Sequence, residues 1–147
     1  MTQKDIQQIL EAAVSGSLGT LTDDATPFVS LVTVAVTGPR SVAMLLSGLA
    51  VHTKNLMRNQ AASLLLVSLG GESGDPLAGA RVTLTGTVRK LSREEDGEVR
   101  GVFLAKHPEA AMYADFGDFS FFVLDIDQAH LVAGFGKIVT VSGVELN

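Results

Sequence analysis

"SLGTLTDDATPFVSLVTVAVTGPRSVAMLLS", residues 17–47, decides the fold. Three β-rich runs, "SLGTLT" (17–22), "FVSLVTVAV" (28–36) and "SVAMLLS" (41–47), are separated only by "DDATP" and "TGPR". Asp, Thr, Pro and Gly in those joints are turn formers, so the first two runs read as an antiparallel hairpin and the third follows through another turn. A parallel pair needs a crossover of a dozen or more residues. None fits here, which excludes a doubly wound parallel sheet and predicts a mostly antiparallel one.

Upstream, Thr2 reads as an N-cap, and Ile6, Ile9, Leu10, Ala13 and Val14 fall at three-and-four spacing, an amphipathic helix ended by Gly16. Downstream, Ala50 to Arg58 reads as a short helix, closed by "NQ" before the strand-like "ASLLLVSL" (62–69). "GGESGDPLAGA" (70–80) is a glycine-rich loop, too short to link two domains. "RVTLTGTVRKL" (81–91) alternates, with Val82, Leu84 and Gly86 on one face and Arg81, Thr83, Thr85 and Thr87 on the other. Ser92 and Glu95 have the spacing of a capping box and open a helix through about Lys106. Pro108 suits the first turn of a broken second helix in "HPEAAMYADFGD" (107–118). "FSFFVLDI" (119–126) and "AHLVAGFG" (129–136) supply the last strands. The pattern predicts a single domain, residues 1–147, of mainly β class: a small closed or split barrel with peripheral helices.

A chain of 147 residues buries roughly 70% of its unfolded surface, enough for one core. Zero cysteines exclude disulfides, thiolate metal sites and a cysteine nucleophile, and three scattered histidines make no metal cluster. Hard chemistry must therefore come from a cofactor. The net charge of −5 argues against a nucleic-acid partner. No apolar run reaches the roughly 18 to 20 residues of a membrane span, and the N-terminus lacks a secretory pattern, so a cytoplasmic protein with no membrane partner is expected. A hydrophobic content of 46% leaves more apolar surface than one small core hides. An interface resembling a bisected core accounts for it, and a homodimer is expected.

"SGLAVHTKN" (47–55) interrupts this apolar neighbourhood with hydroxyls, an imidazole, an ammonium and an amide. Ser47 ends a strand, while His52, Thr53, Lys54 and Asn55 enter the helix that follows. Free amides at a helix N-terminus, flanked by hydroxyl and cationic side chains, suit a phosphate. The alternative is that Ser47 or Thr53 caps the helix while His52 and Lys54 lie in solvent. Neither GxGxxG nor GxxxxGK[ST] occurs, and the glycine-rich loop matches neither pattern.

"LLSGLAVHTKNLMRNQAASLLL", "GDPLAGARVTLTGTVRKL" and "FLAKHPEAAMYADFGDFSFFVLDIDQAHLVAGFGK" together resemble the FMN-binding split-barrel family related to pyridoxamine 5′-phosphate oxidase. The resemblance is to its haem-utilisation branch, of the HugZ and HutZ type, and runs from about Ile9 to Lys137. It implies a homodimer of six-stranded antiparallel split barrels, with FMN in clefts between subunits. By position, Ser47 matches a hydroxyl residue approaching the FMN phosphate, and His52 and Thr53 fall where the oxidases carry an Arg-Lys pair. Lys54 or Arg81 then has to restore the lost charge. Arg81 stands where the oxidases have a flavin-contacting glutamine, or is a solvated strand-end cation. Ser30 either contacts the flavin ring or satisfies a backbone group. The resemblance is to the barrel domain only: the further C-terminal domain usual in haem-utilisation proteins and the Trp-and-Arg substrate stretch of the oxidases have no counterpart here.

The implied function is an FMN-dependent oxidoreductase acting on a small molecule at the dimer cleft. The alternative is a haem-binding or haem-utilisation protein without flavin turnover. His130 is either an axial haem ligand or a packed strand residue, and His107 has a local role at a helix junction.

Overall fold

A computed structural model describes residues 2–68, 79–134 and 136–146. The reading of residues 70–78 as a glycine-rich loop lies outside the described residues. The elements are α1 (Thr2–Ala12), β1 (Ser15–Leu21), β2 (Pro27–Thr33), β3 (Ala35–Gly38), β4 (Ser41–Ser47), α2 (Val51–Arg58), β5 (Ala61–Val67), β6 (Ala80–Lys90), α3 (Gly97–Lys106), β7 (Phe119–Ala133) and β8 (Ile138–Ser142). One 3₁₀ segment, Pro108–Met112, precedes β7 and another, Gly143–Leu146, follows β8. The fold is the antiparallel split barrel expected, with eight strands among the described residues in place of six.

Every strand pair is antiparallel, in the order β2-β1-β5-β6-β7-β4-β3, with β8 added to β7. The β1–β2 hairpin closes as its turn residues predict, with Asp24 accepting hydrogen bonds from the Thr22 and Thr26 hydroxyls at 2.6 and 2.9 Å. The run "FVSLVTVAV" is two strands, because it breaks at Val34. Buried Val34 donates its N–H to the Val14 carbonyl and carries the chain from one end of the strand order to the other. The sheet therefore curls, and its two edges are consecutive in sequence.

Gly16 belongs to β1 and does not end α1. A side chain there would crowd Leu64 and Leu66 of β5, so the glycine permits close strand approach. The helix expected from Ser92 begins at Gly97 instead. Glu95 does accept the Ser92 N–H, at 2.8 Å, but this closes an isolated turn. Asp96, buried against the Arg100 guanidinium at 3.2 Å, sets the start of α3 one turn later.

"FSFFVLDI" and "AHLVAGFG" are one strand, β7. Thr85 pairs with Gln128 and Gly86 with Ile126, which leaves Asp127 as an extra residue in a β-bulge. A Cβ at position 86 would collide with the Asp125 carbonyl, so the bulge requires glycine there. Before the bulge Phe122, Leu124 and Ile126 point into the barrel; after it Ala129 and Leu131 do. The alternation changes phase at Asp127 without a turn.

Two cores result. The barrel interior holds Leu18, Met44, Leu64, Leu66, Leu84 and Leu124, closed at one side by Ile6 and Leu10 of α1. The second lies outside the barrel, where Ala43 and Leu45 of β4 and Phe121 and Val123 of β7 meet Phe103 of α3 and Ala110. Phe103 sits edge-on to Phe121, with centroids 5.5 Å apart, and the Arg100 guanidinium lies over the Phe121 ring. Among the described residues no helix lies over the remaining outer face.

Candidate functional site

The turn between β4 and α2 is held by Ser47, whose hydroxyl donates to Asp118 at 2.9 Å and accepts the Leu49 N–H at 3.1 Å. The second contact closes the turn; the first reaches across to the segment that precedes β7. No side chain caps α2, which starts after Ala50.

The residues of α2 divide between two sides, as a period of 3.6 dictates. His52 and Leu56 face one way and Lys54, Met57 and Arg58 the other. On the first side the helix packs on β1 and β2, and His52 Nδ1 lies 2.9 Å from the Ser30 hydroxyl. Ser30 is in register with Leu18, so it belongs to the inward face of β2. Burial holds the His52 imidazole below its ordinary pKa, which keeps the Ser30–His52 pair neutral at physiological pH. Asn55, only 1% exposed, donates to the Thr20 hydroxyl at 3.0 Å and accepts from Arg58 at 2.9 Å. It ties helix to barrel, with both its amide nitrogen and its oxygen bonded to protein groups.

On the second side a cavity of about 470 Å³ opens between α2 and the ends of β4, β6 and β7. Leu46 and Phe122 form its apolar floor, and Lys54, Arg58 and Lys90 bring three cations to its wall against one carboxylate, Asp118. Among the described residues neither Lys54 nor Lys90 has an ion-pair partner, and Arg58 bonds only the neutral Asn55 amide. Thr53 also lines the cavity; it is 4% exposed, and its hydroxyl has no hydrogen-bond partner.

Arg81 is elsewhere. It lies nine residues from Lys90 along β6, roughly 30 Å at strand rise. Its register neighbours Val67 and Val132 place it on the outer face, away from Ser30 and His52. The predicted set therefore separates into Ser30 with His52, Thr53 with Lys54, Ser47 at the turn, Asn55 in the interior, and Arg81 at the far end of β6. A single chain does not bring them to one ligand.

Next to Arg81, His130 of β7 stands between Thr83 and Thr140, its Nδ1 2.8 Å from the Thr140 hydroxyl. Exposed Leu65, Val67 and Ile138 surround this pair. His107 does more than the local role expected: Nε2 lies 2.7 Å from the carbonyl of Val34, 73 residues away at the β2–β3 junction, while the ring lies tilted against nearby Phe103. No group of three or more His, Cys, Asp or Glu side chains forms a metal site among the described residues, and none of their helices is long and apolar enough to cross a membrane. Two residues of the cavity escaped sequence reasoning. Arg58 was recoverable from the i, i+3, i+4 stripe of α2; Lys90 carried no local signal.

The pattern of the family described as "CREG, beta-barrel" matches residues 5–145. The chain is 33% identical over 142 residues to the chloroplastic haem oxygenase HOZ of Arabidopsis thaliana, covering 95% of this chain and 43% of that protein. A haem-binding protein from Mycobacterium smegmatis superposes with a TM-score of 0.92 at 31% identity, over 99% of this chain and 60% of that one. The chain thus spans less than two thirds of either relative. HutZ of Vibrio cholerae, a haem storage protein, shares the fold with a TM-score of 0.70 at 20% identity, over 89% of this chain and 93% of its own. This chain belongs to the CREG β-barrel family, on the split barrel common to haem-utilisation and pyridoxine phosphate oxidase-family proteins.

Proposed function

We propose that this chain is a haem-binding barrel that acts as a homodimer. One observation carries the reading: the plant and mycobacterial proteins, each about one third identical across nearly the whole chain, are both named for haem. FMN, which the sequence resemblance implied, is the competing ligand. By the resemblance its phosphate would meet His52 and Thr53, where the oxidases carry an Arg-Lys pair; here His52 is held neutral by burial and bonded to Ser30.

The donor set of the outer face fits a planar, apolar ligand with acidic substituents. Leu65, Val67 and Ile138 provide apolar surface, Arg81 a cation, and His130 an imidazole. In the tautomer whose Nδ1–H donates to the Thr140 hydroxyl, His130 Nε2 keeps its lone pair, the arrangement of metal-binding histidines whose other nitrogen is anchored. Bound iron would supply redox chemistry there; the protein would bind, orient and shield the ring. Val29 and Leu31, on the same outer face and 67% and 76% exposed, extend the apolar surface that a second copy would cover.

Titration of the purified protein with hemin, followed by the Soret band, tests this against FMN followed by flavin fluorescence. The expected result is saturable haem binding, with a spectrum that changes in His130→Ala. Retained FMN with no saturable Soret change would replace haem with flavin as the ligand.

A further inference from the structure

We infer that Thr140 is a positioning residue: it holds the His130 ring with Nδ1 turned aside and Nε2 presented to the outer face as a ligand for iron. The identity of the metal group rests on the haem reading. The positioning rests on how β6, β7 and β8 lie against one another.

Two backbone features bring the pair together. The Asp127 bulge shifts the alternation of β7, so that Ala129 and Leu131 enter the barrel and His130 faces out. β8, which stands off the main strand order, pairs with the second half of β7 and puts Thr140 directly opposite His130. Its register is held at both ends. Val141 is buried in the barrel core, and the turn that leaves β7 closes with the Ala133 N–H on the Lys137 carbonyl at 2.9 Å, using Gly134 and Gly136 at φ of 64° and 89°. A slip of one residue would turn Thr140 to the opposite face.

The chemistry follows from this placement. An exposed histidine turns broadly about χ2, and its neutral ring carries one proton that either nitrogen can hold. Nδ1 lies 2.8 Å from the Thr140 hydroxyl, the one hydrogen bond that His130 makes among the described residues. That contact selects one of the two ring orientations. The hydroxyl can accept Nδ1–H while donating its own proton to water, and the lone pair is then on Nε2, where a metal ligand needs it. On the other flank Thr83 is also in register with His130, through β6, yet makes no hydrogen bond to it among the described residues. Strand preference does not account for a hydroxyl at position 140, since valine suits a strand equally well. Nor does stability, because water replaces an exposed hydrogen bond at little cost. The effect falls on orientation: a ring ordered before the ligand arrives loses less freedom on binding it.

Heteronuclear NMR of the isotopically labelled, hemin-free protein, at a pH where imidazole is neutral, reads the tautomer directly. The wild type is expected to carry the His130 proton on Nδ1. Thr140→Val should spread that proton over both nitrogens and leave the urea midpoint in place, Thr140→Ser should restore the wild-type pattern, and Thr83→Val should change nothing. In the hemin titration Thr140→Val should weaken binding by about tenfold or more, the usual loss when the partner of a metal-bound imidazole is removed, with recovery in Thr140→Ser. A wild-type proton on Nε2, or a tautomer pattern unaltered in Thr140→Val, would overturn the inference. So would wild-type hemin affinity and spectrum in Thr140→Val; the haem reading would then stand on the spectral change in His130→Ala alone. Conversely, a wild type with the proton on Nδ1 that binds no hemin removes the haem reading and leaves Thr140 as the residue that sets the tautomer.

Discussion

The outer surface of the barrel has two regions that differ in what covers them. Over β3, β4 and the first half of β7 lie α3 and the Pro108–Met112 segment, and the sheet residues beneath, Ala43, Leu45, Phe121 and Val123, are apolar and buried. Over the outer face of β2, β1, β5, β6, the second half of β7 and β8 lies no helix among the described residues. There the outward residues mix threonines with exposed Val29, Leu31, Leu65, Val67 and Ile138. One strand, β7, serves both regions and changes phase at the Asp127 bulge between them. Coverage by the chain itself makes a core; where apolar side chains lie bare, the proposed second copy would cover them.

The largest expected effect is in the covered region. Phe103 is fully buried between α3 and the sheet, so Phe103→Ala should cost about 3–5 kcal/mol in urea unfolding followed by circular dichroism. A loss well under 1 kcal/mol would mean that α3 packs only loosely on the sheet.

Next is the joint between the two regions. Gly86→Ala drives a methyl into the Asp125 carbonyl, and the strain should cost about 1–3 kcal/mol in the same measurement. An unchanged midpoint would show that the bulge relaxes freely.

On the bare region the expected effect is on association rather than folding. Leu31→Asp should change the unfolding free energy by less than about 0.5 kcal/mol, because the side chain is solvent-exposed in a single chain. It should nevertheless shift sedimentation from dimer to monomer, since a charge would be buried at the proposed interface. A monomeric wild type would remove the second copy from that face.

The smallest effect belongs to His52, at the barrel mouth. Its folded-state pKa is depressed by burial, so as pH falls through the imidazole range the unfolded chain takes up the proton first. Stability should decline over that interval and be insensitive to this group at higher pH. His52→Gln should flatten the slope; an identical slope would assign it to other groups.

Much of the fold was legible locally. The turn chemistry of "DDATP" and "TGPR" and the absence of a crossover led to an antiparallel sheet, and α2 lies where "VHTKNLMR" suggested. The break at Val34 was not legible, because a residue passing from one sheet edge to the other is as apolar as a strand residue. The β7 bulge looked like a strand boundary because a phase change and a turn interrupt alternation equally. At the site, the stretch 47–55 was found by composition, but its division was hidden: whether His52 meets Ser30 or solvent depends on β2, 22 residues earlier.

The sequence alone determined what depends on neighbours along the chain: antiparallel pairing and the placement of α2. Tertiary structure decided what depends on residues far apart in sequence. It paired Ser30 with His52, turned Asn55 inward, sent Arg81 to the outer face, and brought Lys54, Arg58 and Lys90 to the wall of one cavity. Local pattern sets which side of its own element a residue occupies. Only the register between elements determines what lies across from it.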